Sequence, residues 1–229
     1  MTITPAGMPL REALAALRAE RRDNDVVVSA MGTAREWMTL GTHPLDWVFV
    51  PSSMGQATSL GLGLALAQPE RRIIVLNGDG STLMNLGSLV TITAEQPANL
   101  VTITFDNGVY EITGAQPTPG AVAGRKAGDR VDYVGLARAC GFRSIFHFTT
   151  LAAWTAGLRG ALEATGPTFV LLDVAPVPGG RGPRSPGPTA ERARRFMAAL
   201  GVERVLGNTV VTYKGPTKPV AEKDWESTR

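Results

Sequence analysis

Cysteine is nearly absent from this 229-residue chain, which contains Cys140 alone. A single cysteine excludes an internal disulfide framework and a CxxC redox or zinc motif. It also excludes an iron–sulfur cluster held by this chain alone, because such clusters need several thiolates. Since a chain with so little cysteine suits a reducing compartment, we expect a cytoplasmic protein.

Long apolar runs and an excess of one charge are lacking as well. No segment approaches the roughly 20 apolar residues of a membrane-spanning helix. The N-terminal residues lack the basic start and apolar stretch of a signal peptide. The 23 basic and 20 acidic residues give a net charge of +3, and the arginines are scattered along the chain. We therefore expect neither a membrane nor a nucleic acid as partner.

Apolar runs and helical patterns alternate along the chain, which predicts an α/β fold with a mostly parallel sheet. Strands are expected at 25–32, 47–50, 72–77, 99–105, 143–148 and 167–174, and helices at 8–22, 52–70, 81–96, 131–142, 150–165 and 189–200. A Pro- and Gly-rich stretch follows Val174. It divides a predicted domain, residues 1–174, from an extended arm, a short helix and a polar tail at 175–229. The run TVVTY at 209–213 is a candidate edge strand.

The turn Gly78-Asp79-Gly80-Ser81 joins a predicted buried strand to a predicted helix that starts at Ser81. Helix N-termini have unpaired N–H groups that bind phosphate, and glycine lets a ligand approach the backbone closely. A carboxylate repels phosphate unless a cation lies between them. Mg²⁺, which prefers oxygen ligands, is the natural candidate.

A second polar turn, Asp106-Asn107-Gly108, follows the next predicted strand. Neighbouring parallel strands end at the same edge of a sheet, where open α/β folds bind cofactors. There Asn107 offers an amide oxygen and Val109 a backbone carbonyl. Each motif alone is explained by a tight turn, but their shared edge predicts a site for phosphate and metal together.

This pair of motifs resembles the diphosphate-binding domain of thiamine diphosphate-dependent enzymes, in which a GDG motif precedes an Asn pair. Here the first Asn of the pair is Asp106. The resemblance implies thiamine diphosphate and Mg²⁺ as cofactors, with Asp79, Asn107 and the Val109 carbonyl as metal ligands. The other residues that it implies at the cofactor are Gly32, Thr33, Met38, Ser53, Met54, Gly55, Gly78, Gly80, Ser81 and Tyr110. Met38 or Trp37 would form the apolar wedge under the thiazolium; ordinary core packing is the alternative for each apolar residue.

Three segments are similar to one subgroup of this family, phosphonopyruvate decarboxylase and the β subunit of sulfopyruvate decarboxylase. They are GTARE at 32–36, DNGVYEITGAQPTP at 106–119 and RSPGPTAERARRFMAAL at 184–200. The similarity covers roughly residues 10–200 and leaves 201–229 without a counterpart. It implies a decarboxylase (lyase) acting on a small anionic 2-oxo acid.

The family binds its cofactor between two domains, and the second domain supplies an activating glutamate. This chain has room for one domain, and Glu12, Glu20 and Glu95 do not match that role. The resemblance therefore implies a separate pyrimidine-binding (α) subunit, in a hetero-oligomer of two copies of each chain or larger.

The chain's own catalytic candidates are weak. Glu111 begins a loop at 111–130 that could close over substrate, and His43 lies in the loop before a strand; surface positions are the alternatives for both. His147 is expected to be packed in a strand. Two other functions stay open: the β subunit of a 2-oxo acid oxidoreductase with clusters in partner subunits, and a non-catalytic cofactor-binding module.

Overall fold

The computed structural model describes residues 7–49, 54–121, 131–177 and 187–202. Six parallel strands form one sheet in the order β2-β1-β3-β4-β8-β7, and β5 and β6 form a separate antiparallel pair. The strands are β1 (Val26–Ala30), β2 (Asp46–Phe49), β3 (Ile73–Gly78), β4 (Leu100–Asp106), β5 (Val109–Tyr110), β6 (Gln116–Pro117), β7 (Ser144–Phe148) and β8 (Thr168–Asp173). The central strands are buried along nearly their whole length because helices cover both faces of the sheet. The predicted α/β fold with a mostly parallel sheet is confirmed.

The helices divide between the two faces of this sheet. They are α1 (Leu10–Glu20), α2 (Met31–Thr39), α3 (Gln56–Ala67), α4 (Asp79–Met84), α5 (Gly87–Glu95), α6 (Tyr133–Cys140), α7 (Leu151–Glu163) and α8 (Thr189–Ala199). One core packs α1, α2 and α7 on the sheet through residues such as Leu14, Trp37 and Trp154. The other core joins α3, α5, α6 and α8 on the opposite face. Within the described ranges, no helix is both long enough and apolar enough to cross a membrane.

The order of the strands reverses between β1 and β3. The chain leaves β1 toward β2 on one side and then crosses back to β3 on the other. Connections that diverge in this way leave a crevice at the carboxyl ends of the two strands, where α/β folds bind their ligands. Met31 follows β1 directly, and Asp79 follows β3 directly. The topology therefore brings the predicted GDG turn to a binding crevice.

Three predicted boundaries were wrong near this crevice. The helix expected at 81–96 is two helices, and the first begins at Asp79 rather than Ser81. It breaks at Asn85, whose side-chain amide donates to the Gly55 carbonyl at 2.8 Å and so joins two elements. The strand expected to reach Gly32 ends at Ala30, and the helix expected from residue 52 begins at Gln56.

The last described helix, α8, packs on the domain instead of standing apart from it. Phe196 and Leu200 are buried in the core that contains α3 and α5. Arg192 donates to the Val48 carbonyl of the edge strand β2, and its guanidinium lies 5.2 Å from the Trp47 ring centroid. Residues 178–186, most of the predicted arm, and 203–229, with the candidate strand at 209–213, lie outside the described residues.

Candidate functional site

A cleft opens at the carboxyl ends of β1, β3 and β4. Its walls come from residues 31–33 at the start of α2, 78–81 around the GDG turn, and 105–113 after β4. Ten of the residues predicted at the cofactor line it: Gly32, Thr33, Met54, Gly78, Asp79, Gly80, Ser81, Asn107, Val109 and Tyr110. The parallel pairing of β3 with β4, in which Gly78 is opposite Phe105, brings the two polar turns to this edge.

Asp79 is the buried acid of this cleft, with only 2% of its surface exposed. Thr118 Oγ1 donates to Asp79 Oδ2 at 2.9 Å, and the Gly80 N–H also donates to the carboxylate. Burial, followed by the nearby charge of Asp106, raises the pKa of Asp79 to about 7. Two neighbouring carboxylates in a buried place favour a bound proton or a bound cation between them.

Asn107 and Glu111 form a hydrogen-bonded pair on the opposite wall. Asn107 Oδ1 accepts from the Val109 N–H at 3.0 Å, and the Asn107 side-chain amide donates to the Glu111 carboxylate. Glu111 Oε1 also accepts from the Val177 N–H at 2.5 Å. Burial raises the pKa of Glu111, and the nearby charge of Glu36 raises it further, whereas these hydrogen bonds act in the opposite direction.

The oxygen atoms around the cleft suit a hard divalent cation. Asp79 contributes a carboxylate, Asn107 an amide oxygen and Val109 a backbone carbonyl, and all three residues line the same space. Oxygen donors of these kinds are the ligands of Mg²⁺. No cluster of three or more His, Cys, Asp or Glu side chains placed to hold a metal occurs in the described ranges.

Two glycines let side chains approach the cleft closely. A Cβ atom on Gly80 would lie 2.3 Å from Cε1 of Tyr110, and one on Gly32 would lie 2.7 Å from Oε2 of Glu111. Both distances are far below van der Waals contact, so any side chain at either position would displace its neighbour. The glycines of the GDG turn and of the segment after β1 therefore give the cleft its shape.

Gly55 supports the cleft from behind. Its backbone has φ +81°, its N–H donates to Ser81 Oγ at 2.8 Å, and a Cβ there would lie 2.8 Å from Cβ of Asn85. Gly55 was predicted at the cofactor, but it does not line the cleft. Its N–H instead fixes the hydroxyl of Ser81, and Ser81 lines the cleft.

Other predicted residues lie elsewhere. Met38 is buried against Ala34 and Val48, and Trp37 is fully buried with its Nε1 donating to Asp46 Oδ2 at 3.1 Å. Neither residue lines the described cleft, and the wedge role stays a prediction. Ser53 lies outside the described residues.

His43 lies at the opposite end of the sheet, in a second cavity lined by residues of α2, β2 and α8. Its Nδ1 accepts from the Leu45 N–H at 3.1 Å and lies 3.0 Å from an Arg21 guanidinium nitrogen. Burial and then the charge of Arg21 lower the pKa of His43. Its Nδ1 therefore acts as a structural hydrogen-bond acceptor, and the structure does not bring the ring to the cleft.

His147 is exposed rather than packed, and its Nε2 lies 2.9 Å from Oδ1 of Asp173. The expectation of a packed ring was wrong because β7 is an edge strand and its outer positions face solvent. Neither residue lines the cleft.

Two important residues of the site escaped sequence reasoning. Met31 lines the cleft and adopts φ +58°, a left-handed conformation that is unusual for methionine. Thr118 holds Asp79 from a loop 39 residues further along the chain. Neither residue has a local signal: Met31 continues the apolar run of the predicted strand at 25–32, and nothing local to Thr118 indicates its partner.

Comparison with known proteins places this cleft in a family context. Residues 26–172 match the family model described as "Thiamine pyrophosphate enzyme, C-terminal TPP binding domain". The chain is 40% identical over 188 residues to phosphonopyruvate decarboxylase of Streptomyces hygroscopicus, covering 80% of this chain and 44% of that protein. It is 38% identical over 155 residues to sulfopyruvate decarboxylase subunit beta of Methanothermobacter thermautotrophicus, covering 67% of this chain and 76% of that subunit.

The fold also has counterparts among solved structures. A putative thiamin diphosphate-dependent enzyme from Mycobacterium smegmatis superposes with a TM-score of 0.61 at 20% identity, over 75% of this chain and 32% of that one. Identity this low carries information about the fold alone. The chain thus corresponds to a part of the larger proteins that it matches.

Proposed function

Because this chain belongs to the thiamine pyrophosphate enzymes through their C-terminal cofactor-binding domain, we propose that it is the diphosphate-binding subunit of a 2-oxo acid decarboxylase. The observation that supports this most is the meeting of Asp79 and Asn107 in one cleft, at the ends of two paired strands. Thiamine diphosphate and Mg²⁺ are the proposed cofactors.

The residues of the cleft divide into three proposed roles. Asp79, Asn107 and the Val109 carbonyl would hold Mg²⁺, with Thr118 fixing one oxygen of Asp79. Gly80 and Ser81 would contact the diphosphate, and the hydroxyl of Ser81 is already oriented by Gly55. The wall formed by Met31, Gly32, Thr33 and Met54 would face the rest of the cofactor.

The bound cofactor would supply a nucleophilic carbon and an electron sink for the release of CO₂. The contribution of this chain is to bind and orient that group and to exclude water from it. The acids that line the described cleft are Asp79 and Glu111. Asp79 is a proposed metal ligand, and Glu111 is hydrogen-bonded to another proposed ligand, Asn107. An activating glutamate is therefore expected from a second chain.

A two-chain enzyme agrees with the name of one relative. That relative is called a β subunit, which implies an α subunit for that protein. The phosphonopyruvate decarboxylase is more than twice as long as the part that this chain matches, so that protein has room for a second domain in the same chain. We propose a separate pyrimidine-binding subunit and an assembly of two copies of each chain.

The proposed substrate is a small anionic 2-oxo acid of the phosphonopyruvate or sulfopyruvate kind, after the names of the relatives. In the described part of the chain, no lysine or arginine lines the cleft. We propose that the partner subunit supplies the basic side chains that would bind the anionic group of the substrate. The cytoplasmic location expected from the cysteine content stays a prediction.

The test starts from the native complex, purified through a tag on this chain. Mass spectrometry should find a partner of similar size, and the complex should release CO₂ from phosphonopyruvate or sulfopyruvate, while the partner-free chain should not. A partner-free chain that decarboxylates at ordinary enzymatic rates would refute the two-chain proposal. Cofactor binding without turnover would favour a non-catalytic module, and electron transfer to ferredoxin would favour an oxidoreductase.

A second measurement tests the metal site itself. Asp79→Ala and Asn107→Ala should abolish Mg²⁺-dependent binding of thiamine diphosphate to the complex, as measured by calorimetry. Asp173→Asn is the matched control, because Asp173 ends β8 at the same sheet edge and does not line the cleft. Unchanged cofactor affinity in Asp79→Ala would contradict the proposed site.

A further inference from the structure

The carboxylate of Glu111 lies where three parts of the chain meet. It accepts hydrogen bonds from the side chain of Asn107, which follows β4, and from the N–H of Val177, which follows β8. Its Oε2 faces the first turn of α2 so closely that a Cβ on Gly32 would lie 2.7 Å away. A partly buried acid at such a junction needs a reason, because burial without these partners would be costly.

The reason that we infer concerns the amide of Asn107. Its oxygen and nitrogen have nearly the same shape, but only the oxygen can bind a cation. A half-turn of the amide would replace Oδ1 with Nδ2 at the proposed metal position. The Val109 N–H favours the first orientation, because it donates to Oδ1 at 3.0 Å.

Glu111 strengthens this choice from the other side. A carboxylate can only accept hydrogen bonds, so it pairs with Nδ2 and repels Oδ1. We propose that Glu111 is a positioning residue that fixes the Asn107 amide with its oxygen toward Mg²⁺. This inference rests on the proposed function, because it presupposes the metal site. It gives Glu111 a task in metal binding, distinct from the substrate or loop-closing role considered from the sequence.

Glu111→Gln provides the sharpest test because it keeps the size and changes the hydrogen-bonding character. Glutamine has one accepting oxygen for two N–H partners. If that oxygen stays with Val177, its NH₂ group faces Asn107 and favours the flipped amide. Partners of metal ligands typically change metal affinity by about 10- to 100-fold when mutated. We expect a loss in this range in the Mg²⁺ affinity of the purified complex, measured by calorimetry with saturating thiamine diphosphate.

A second substitution should rescue the first. Aspartate at position 107 has two equivalent oxygens, so its rotation no longer matters. The double variant Asn107→Asp, Glu111→Gln should therefore recover most of the lost Mg²⁺ affinity. Asn107→Asp alone places two carboxylates against each other and should bind Mg²⁺ less tightly than the double variant. This coupling between the two positions is the signature of an orienting contact.

Glu36→Gln is the matched control. Glu36 is a buried acid near Glu111, but its Oε2 accepts from Arg11 Nε at 2.6 Å and it does not line the cleft. The same chemical change there should leave the Mg²⁺ affinity close to that of the unaltered complex. The melting temperature of each variant without metal should be measured in parallel.

The outcomes distinguish a failure of the positioning role of Glu111 from a failure of the proposed function. The positioning role would be overturned if Glu111→Gln melted earlier yet bound Mg²⁺ normally, or if the double variant bound no better than Glu111→Gln. An unaltered complex that binds no Mg²⁺ would overturn the proposed function itself, and the role of Glu111 with it. If Glu111→Gln does not fold, Gly32→Ala displaces the same carboxylate without removing it. Unchanged Mg²⁺ affinity in that variant would overturn the role as well.

Discussion

The residue that most affects the chemistry of this cleft is Asp79. Its carboxylate is buried beside Asp106, and the resulting pKa of about 7 means that the metal-free protein holds a proton there at mildly acidic pH. The unfolded chain releases that proton near pH 4. Stability contributed by this group is therefore complete below about pH 4 and is lost as the pH rises toward 7. The proposed binding of Mg²⁺ would require the ionised form and should strengthen over the same interval.

Asp79→Asn should remove this pH dependence. In EDTA, we expect the free energy of unfolding of the variant to exceed that of the unaltered protein at pH 8. At about 1.4 kcal/mol per pKa unit the excess reaches roughly 4 kcal/mol, and it should disappear near pH 4. Urea unfolding at several pH values measures it, with Asp173→Asn as the control. If the free energy of unfolding depended on pH in the same way in Asp79→Asn and in the unaltered protein, the pKa of Asp79 would not be raised in the folded state.

At the scale of elements, the contact between α3 and β3 sets the position of the GDG turn. α3 is apolar on nearly all sides, and Gly61 brings it so close to the sheet that a Cβ would lie 2.2 Å from Cγ2 of Val75. Val75 lies in β3, which ends immediately before Asp79. Gly61 is therefore required by packing rather than by a ligand.

Two alanine substitutions in the same helix should have opposite effects. Gly61→Ala should overpack the interface and lower the free energy of unfolding by roughly 1–3 kcal/mol. Gly63→Ala meets no atom within 4 Å and should raise it by about 0.5–1 kcal/mol through helix propensity. Thermal and urea unfolding of both variants check the pair. A neutral Gly61→Ala would mean that α3 can shift outward without cost.

At the scale of the whole molecule, α8 belongs to the domain. Phe196 is 7% exposed and its ring centroid lies 5.4 Å from that of Trp47, so α8 covers the edge strand β2. An uncovered edge strand is a site for unwanted pairing with other chains. A domain that ended at the predicted boundary, residue 174, would lack this cover and the part of the core that Phe196 and Leu200 form.

Phe196→Ala should accordingly lower the free energy of unfolding by about 3–5 kcal/mol, as expected for a buried phenylalanine. Met197→Ala, on the exposed side of the same helix at 43% exposure, should change it by less than about 0.5 kcal/mol. A small effect of Phe196→Ala would instead support the boundary at 174 and make α8 an appendage.

The sequence by itself determined the α/β class, the parallel sheet and the edge at which Asp79 and Asn107 meet. These follow from local pattern, because continuous apolar strands and intervening helices allow few topologies and place the turns after β3 and β4 together. Ten of the predicted residues line one cleft for this reason. Their roles toward cofactor and metal stay predictions.

Only the tertiary structure decided which side chains complete the site. Thr118 reaches Asp79, and Val177 reaches Glu111, from segments far away in sequence. The family resemblance placed Met38 at the cofactor, whereas its side chain packs against Ala34 and Val48 and does not line the described cleft. Such contacts depend on how elements pack and on which face of a helix meets the sheet. Local propensity and spacing do not specify contacts between segments that are distant in sequence.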